Sequence, residues 1–160
     1  MTSHRATSVP GILAAILLAA ASSDSVVPMN ERLAAEGLAG PVAAVVDRIV
    51  DGDTIDVRAF IWLGQTVSVR VRIDGVDTPE IAARCEEEKR VALAARDFLA
   101  RRLTGAEIIL TRVVYDKYGG RVRAAVADRQ GDIARALLAE GYARPYRGER
   151  RQGWCGDGGS

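Results

Sequence analysis

The chain has 160 residues, of which 48% are hydrophobic and 27% are charged, a composition typical of one compact globular domain and not of a disordered segment. Its 22 lysine and arginine residues are balanced by 21 aspartate and glutamate residues, which argues against a strongly basic clamp that holds nucleic acid by charge alone. Aromatic residues make up only 5% of the chain, so the aromatic stacking platforms of single-strand-binding proteins are not expected.

The first residues predict a segment for export. Residues 11–21 form a short apolar run, which follows His4 and Arg5 and precedes a serine-rich stretch. A membrane-spanning helix needs roughly 20 apolar residues, so this shorter run is more typical of a signal peptide, and the three alanines at 19–21 suit a cleavage site. We therefore expect residues 1–21 to be removed and the protein to be periplasmic or secreted. The alternatives are a membrane anchor through residues 11–21 and a misassigned start codon.

The rest of the chain divides into three parts. Residues 22–41 are predicted to be a linker with one short helical stretch at 30–36, residues 42–147 a folded domain, and residues 148–160 a C-terminal tail. Arginines recur near the end of the chain, at positions 144, 147, 150 and 151. They are interpreted either as a guide for nucleic acid or as an ordinary solvated run.

Within the domain, five short segments have the composition and alternation of strands, and two have the apolar periodicity of helices. The predicted strands are 42–50, 54–60, 66–76, 107–115 and 121–127. The predicted helices are 86–103 and 132–140, the second of which is capped by Asp132 and ended by Gly141.

The third strand has the cleanest alternation, with Val67, Val69, Val71 and Ile73 on one face. Five strands with a helix between the third and the fourth are the order of an OB-like barrel. The predicted fold is therefore mainly β with α (α+β), an OB-like five-stranded Greek-key barrel with two or three helices.

Two acidic clusters flank the third predicted strand. The first is 51–54 (Asp-Gly-Asp-Thr), and the second is 74–80 (Asp-Gly-Val-Asp-Thr-Pro-Glu), with Arg72 just before it. Carboxylates bind a hard metal ion, while an arginine binds phosphate oxygens through two parallel hydrogen bonds. The grouping predicts cleavage of a phosphodiester bond.

Each of these residues also has an ordinary structural explanation. Taken alone, Asp53 is explained as a turn aspartate, and Arg72 as a solvated charge on the outer face of a strand. Asp77 and Glu80 are explained as groups that cap the chain around Pro79. The combination favours a site over these separate explanations.

The two cysteines, Cys85 and Cys155, give the chain an even count. In an exported protein this favours one disulfide, which would tie the tail to the segment after Glu80. Two free thiols are the alternative, and the spacing does not decide between them. A zinc site is not favoured, because the only histidine, His4, lies in the segment expected to be removed.

Four motifs together resemble the staphylococcal nuclease-like (thermonuclease) domain family. They are 50–54 (Val-Asp-Gly-Asp-Thr), Arg72 with 76–80 (Val-Asp-Thr-Pro-Glu), 116–119 (Asp-Lys-Tyr-Gly) and 136–143 (Ala-Leu-Leu-Ala-Glu-Gly-Tyr-Ala). Any one motif is a weak signal, but all four in order, with suitable strands and helices between them, are specific. The resemblance covers about residues 45–146.

The resemblance implies roles for particular residues. It implies that Asp53 and Asp77 bind calcium, with the backbone carbonyl of Thr78 as a further ligand. It implies that Glu80 orients or deprotonates the attacking water and that Arg72 grips the phosphate beside the metal. Among the neighbouring acids, Asp51 is a candidate to support the metal indirectly.

The chain departs from the family pattern at the second catalytic arginine, which in the family directly follows the Lys-Tyr-Gly segment. Here Gly120 comes before Arg121. Either the turn absorbs an extra glycine and Arg121 takes the role, or the arginine is displaced and the site is weakened. We expect the first, because a bulge absorbs one extra residue in a hairpin. The nearby Arg123 leaves the register open.

Four residues are candidates to bind substrate. Lys117 and Tyr118 would contact a terminal phosphate or a base, although an exposed lysine and a half-buried tyrosine in a β-turn are an equally good explanation. Tyr142 would line the nucleotide pocket, as would Tyr146, although scattered aromatic residues more often serve packing.

The function that the resemblance implies is an exported hydrolase, a calcium-dependent phosphodiesterase of the thermonuclease type. It would cleave DNA and RNA with little sequence preference and leave 3′-phosphate ends. Calcium suits this location, because weak oxygen sites of roughly 10⁻⁴–10⁻³ M are filled outside cells. We expect a monomer with no stable membrane association after signal cleavage.

Two other interpretations come from different classes of protein. The first is a catalytically inactive nuclease-like OB module that binds nucleic acid or protein, and a displaced second arginine would be its best support. The second is an anchored envelope protein whose barrel only recognises a partner.

Overall fold

A computed structural model describes residues 37–117 and 119–155. The strands of this part of the chain are β1 (Val42–Asp51), β2 (Thr54–Trp62), β3 (Gln65–Ile73), β4 (Val76–Asp77), β5 (Glu107–Tyr115), β6 (Arg121–Asp128), β7 (Gly131–Asp132) and β8 (Arg144–Pro145). The helices are α1 (Glu86–Leu103) and α2 (Ile133–Ala139). The predicted export segment and the predicted helical stretch at 30–36 lie outside the described residues. No helix within the described residues is long and apolar enough to span a membrane.

Five strands close into a barrel. Antiparallel pairing gives the order β3-β2-β1-β5-β6, and parallel pairing of β3 with β6 joins the two ends of this sheet. The joining pairs run from Arg70 with Arg121 to Ile73 with Ala124. This arrangement confirms the predicted α+β, OB-like fold. The closure also sets the end of β3, with Arg72, beside the start of β6.

The interior of the barrel is aliphatic, and both helices contribute to it. The largest fully buried side chains are Ile55, Ile73, Leu99, Leu103, Ile108, Leu110, Ile133 and Leu137, followed by Val46, Val57, Val71 and Val76. Each such side chain contributes about 1.5–3 kcal/mol when it leaves water. Acidic residues in the first turn of α1 and basic residues in its last turn complement the helix dipole.

The third predicted strand is divided in the structure. The chain forms β3, turns at Gly75 and continues as the short β4; the φ angle of +85° at Gly75 is one that glycine adopts at little cost. Val71 and Ile73 are buried as predicted, but Val67 is 43% exposed. It is exposed because the β2–β3 hairpin extends past the barrel, where Trp62 and Leu63 are exposed as well.

The end of the predicted linker is structured. Leu38 pairs with Val113 through hydrogen bonds of 2.7 Å in both directions, and the Arg112 N–H donates to the carbonyl of Ala39. Strand β5 has a register shift between Thr111 and Val114, and Arg112 has a φ angle of +51° there. This irregularity turns backbone groups away from β6, and residues 38–39 satisfy them.

An ion pair joins the last turn of α1 to β6. Arg102 Nε and Nη2 lie 2.7 and 2.8 Å from the two carboxylate oxygens of Asp128. The two side chains are 13% and 8% exposed. The hydrogen bonds from Arg102 lower the pKa of Asp128 below its ordinary value, although partial burial opposes this.

Replacing Arg102 with alanine is expected to lower the free energy of unfolding by about 1–3 kcal/mol at neutral pH, because Asp128 loses its charged partner. A carboxyl whose pKa is lowered by folding stabilises the protein above its ordinary pKa, and this contribution is lost as the pH falls through the folded-state value. The decrease in the free energy of unfolding caused by Arg102→Ala should therefore become smaller below about pH 3.8. Urea unfolding at neutral and strongly acidic pH measures it, and equal losses at both would contradict the prediction. Arg129→Ala, which removes the exposed pair with Glu107, serves as the control and should cost about 0–1 kcal/mol.

Candidate active site

The two acidic clusters meet at an open cleft of about 570 Å³. Seven of the candidates for the site or its substrate line this cleft: Asp51, Asp53, Arg72, Glu80, Lys117, Arg121 and Tyr146. Most of them come from the β1–β2 turn, the end of β3, the segment after β4 and the start of β6. The barrel therefore brings together residues that are distant in sequence.

The β1–β2 turn is held against the second acidic cluster by close packing at Gly52. A Cβ atom at this position would lie 2.8 Å from Thr78 Oγ1 and 2.9 Å from the Cβ of Ala95 on α1. Only glycine fits that gap without movement of its neighbours. The Ile73 N–H donates to the carbonyl of Asp53 at 2.8 Å and joins the turn to the end of β3.

Arg72 bridges the two predicted metal-binding carboxylates. Its Nη1 lies 2.8 Å from Asp53 Oδ2, and its Nη2 lies 3.4 Å from Asp77 Oδ1. The three residues are buried, with exposed fractions of 7%, 3% and 5% for Arg72, Asp53 and Asp77. A solvated strand arginine is therefore not the explanation for Arg72. The Tyr146 ring centroid lies 5.9 Å from Arg72 Cζ and covers the guanidinium.

Asp53 has the features of a cation ligand. Burial raises its pKa, and the charge of Arg72 opposes the rise. Its Oδ1 accepts a hydrogen bond of 2.9 Å from Thr54 Oγ1. Its buried Oδ2 forms the ion pair with Arg72 but accepts no hydrogen bond from the described residues. A buried carboxylate oxygen with an open lone pair, bridged to Asp77, fits a hard divalent cation.

Thr78, the third predicted metal ligand, is also buried in this region. Its backbone N–H lowers the pKa of Asp53, against the larger effect of burial. The predicted ligand role of the Thr78 carbonyl stays a prediction.

Asp51 contacts the predicted base Glu80, a contact that the sequence analysis missed. The pKa of Asp51 is raised to about 6, mainly by burial, and the hydrogen bond from the Gly52 N–H opposes this rise. The negative charges of Asp53 and Glu80 and the hydrogen bond to Glu80 contribute to the same value. Asp51 is therefore about half protonated near pH 6. The Asp-Gly-Asp spacing drew attention to this turn, but it carried no signal for a contact with Glu80.

Arg121 lines the cleft even though Gly120 precedes it. The turn closes with a hydrogen bond of 3.2 Å from the Asp116 N–H to the Arg121 carbonyl, and Gly120 has a φ angle of +82°. The Asp116 carboxylate also pairs with Arg121 Nε. In contrast, Arg123 Nε lies 2.8 Å from Asp74 Oδ1, beside the cleft and not within it.

The four candidate substrate-binding residues have different positions. Lys117 lines the cleft, and Tyr118 lies outside the described residues. Tyr142 packs 5.5 Å from the Phe98 ring against the hydrophobic core, because its N–H bonds to the carbonyl of Leu137 at the end of α2. The position of Tyr142 corrects its predicted place in the nucleotide pocket. Tyr146, the other tyrosine predicted for the pocket, lines the cleft.

The C-terminal tail closes one side of the cleft. A disulfide joins Cys85 to Cys155, which confirms the predicted bridge, and the pairing of β4 with β8 holds the other end of this segment. Between these two attachments, Arg151 Nε lies 2.7 Å from Asp77 Oδ1, and Arg151 Nη1 bonds to Glu80 Oε1. The bridge was predictable from the cysteine count, whereas no sequence pattern placed Arg151 in the site.

Comparison with known proteins agrees with this geometry. Residues 70–154 match the family described as "Staphylococcal nuclease homologue". The chain is also 29% identical over 126 residues to Endonuclease YhcR of Bacillus subtilis (strain 168), in an alignment that covers 74% of this chain. The aligned part is 10% of that relative, so this chain matches only a small part of it. With a closed OB-like barrel and a family match over more than half of its length, the chain belongs to the staphylococcal nuclease homologue family.

Proposed function

We propose that this protein is an exported, calcium-dependent nuclease that hydrolyses phosphodiester bonds of DNA and RNA with little sequence preference. The observation that carries the proposal is the buried Asp53–Arg72–Asp77 arrangement, whose open carboxylate oxygen lies beside a cleft lined by arginines. Family membership and the endonuclease relative support nuclease chemistry. Calcium, export, the broad substrate range and 3′-phosphate products are the finer parts of the proposal.

The cation would be held by Asp53 and Asp77, with the Thr78 carbonyl as a further ligand. A donor set made only of oxygens suits calcium, which accepts several carboxylate and carbonyl oxygens in a flexible geometry. When bound, the cation supplies positive charge to the phosphate oxygen and to the attacking water.

The chain's own residues would do the remaining work. Arg72 and Arg121 bind the phosphate oxygens and stabilise the charge that develops on them as the water attacks phosphorus. Their forked guanidinium groups suit two oxygens at once, which a lysine ammonium does not reproduce. Glu80 orients the water and accepts its proton, and the 5′-oxygen leaves with a proton from solvent.

The direct test is cleavage of single-stranded DNA by the purified protein, with calcium and then with excess chelator. Cleavage is expected with calcium and should be lost in chelator. Asp53→Asn should lower the rate by at least about 10²-fold and weaken calcium binding, because the neutral amide does not replace a buried charged ligand.

Asp56→Asn is the matched control, because Asp56 is an aspartate of β2 that pairs with Arg48 and Arg70 on the outside of the barrel. It should leave the rate and the calcium affinity unchanged. Undiminished cleavage in chelator would contradict the metal dependence. No cleavage with any divalent cation would instead favour the inactive binding module.

A further inference from the structure

The tail places a guanidinium on two carboxylates that the proposed reaction uses. Arg151 Nε lies 2.7 Å from Asp77 Oδ1, and Arg151 Nη1 bonds to Glu80 Oε1. The Asp77 side chain is 8% exposed, so Arg151 reaches a carboxylate that is nearly closed to water. In the proposed function, Asp77 binds the cation and Glu80 accepts the proton of the water. Both groups are therefore already paired with a positive charge from the chain itself.

The segment that carries Arg151 is attached on both sides. On one side, β8 pairs with β4, where Arg144 lies opposite Asp77. On the other side, the Cys85–Cys155 disulfide ties the tail to the residue before α1. Arg144 also stacks 3.9 Å from the Trp154 ring centroid and donates to the Gly153 carbonyl at 3.0 Å. These contacts restrict the tail and keep the effective concentration of Arg151 at the cleft high.

A divalent cation on Asp77 would compete with the Arg151 guanidinium for that carboxylate. Arg72 already lies 3.4 Å from Asp77 Oδ1, and Arg151 adds a second guanidinium 2.7 Å from the same oxygen. Positive charges a few ångströms apart repel each other strongly where water is scarce, so the cation would bind more tightly with Arg151 displaced. Asp53 and Asp77 are both buried, so an incoming cation and Arg151 would interact with the same small group of acids. When only a fraction of the sites is free, the apparent affinity of the ligand is its intrinsic affinity multiplied by that fraction.

We propose that Arg151 is a further residue of the active site, a tethered counter-ion that competes with the metal for Asp77 and holds Glu80 in an ion pair until the metal binds. The disulfide sets the strength of this competition, because it keeps Arg151 close to the acids. The inference rests on the proposed metal-dependent function. It adds that the C-terminal tail lowers the metal affinity of the site.

The test is the calcium affinity of the full protein, measured by isothermal titration calorimetry without nucleic acid, so that the readout is binding and not activity. Arg151→Ala is expected to bind calcium about 10-fold more tightly than the wild type, because the competitor is gone. Arg147→Ala removes the same charge from the same segment and retains the backbone hydrogen bond to Glu149. It should change the affinity less than about 2-fold.

A double variant, Cys85→Ser with Cys155→Ser, tests the tether. It should bind calcium more tightly than the wild type. When it is combined with Arg151→Ala, the calcium affinity should be no higher than that of Arg151→Ala alone. Equal calcium affinity in wild type and Arg151→Ala would overturn the inference and leave the nuclease proposal standing. An equal gain in Arg147→Ala would also overturn it, since net charge alone would then explain the effect. Binding absent from both wild type and Arg151→Ala would overturn the metal site itself.

Discussion

Arg72→Ala is expected to slow phosphodiester cleavage by about 10²–10³-fold, because a preorganised donor to the charge of the transition state is removed. The same change should destabilise the metal-free protein by about 3 kcal/mol, because it leaves the buried Asp53 carboxylate without its partner. Calcium should restore part of this stability, since it would bind the same carboxylate and only in the folded state.

Initial rates and thermal unfolding, each with and without calcium, measure both effects. The control is Arg70→Ala, because Arg70 lies two residues earlier on β3 and pairs with Asp56 on the outside of the barrel. It should change the rate little and the stability by about 0–1 kcal/mol. Arg72→Lys separates charge from geometry and should recover stability better than rate, because lysine lacks the forked pair of donors. A rate unchanged in Arg72→Ala would remove Arg72 from the chemistry.

Arg121→Ala is expected to lower kcat by about 10²-fold while the barrel stays folded. Arg121 lines the same cleft as Glu80, and Asp116 holds its guanidinium by an ion pair. If the second arginine acts mainly in the transition state, kcat should fall more than substrate affinity. Single-turnover cleavage of a defined DNA substrate separates the two.

Arg123→Ala is the matched control for this position. Arg123 lies two residues further along β6 and pairs with Asp74 outside the cleft. A larger loss of rate in Arg123→Ala than in Arg121→Ala would show that Arg123, and not Arg121, is the second catalytic arginine. A large loss in Arg121→Ala alone would show that the turn absorbs the extra glycine.

Many of the helices and strands could be predicted from the pattern of residues close together in the sequence. The apolar stripe and the charges at its two ends predicted the helix that became α1, and the strand that became β5 was predicted with the same bounds. Asp132 caps α2 through the Arg135 N–H, and the φ angle of +71° at Gly141 ends it, as predicted. These features depend on residues within a few positions of each other, which is why sequence sufficed.

Other features of the site depended on distant segments. Whether Arg72 was solvated or buried depended on where β4 and the β1–β2 turn lie around it. The sequence around Tyr142 and Tyr146 contains no signal that distinguishes the two tyrosines. Only the tertiary structure shows that Tyr142 packs on Phe98 and that Tyr146 covers Arg72. The contact of Arg151 with Glu80 joins residues 71 positions apart, a separation that no spacing pattern marks.

The order of strands, helices and motifs was therefore enough to predict the OB-like barrel and the family, because alternation, capping and motif spacing are local properties of the chain. The ion pairs, the burial of each carboxylate and the tail across the cleft were decided only in three dimensions. They arise from the parallel closure of β3 on β6, the β4–β8 pairing and the Cys85–Cys155 bridge, which together determine which charges share the water-poor part of the cleft.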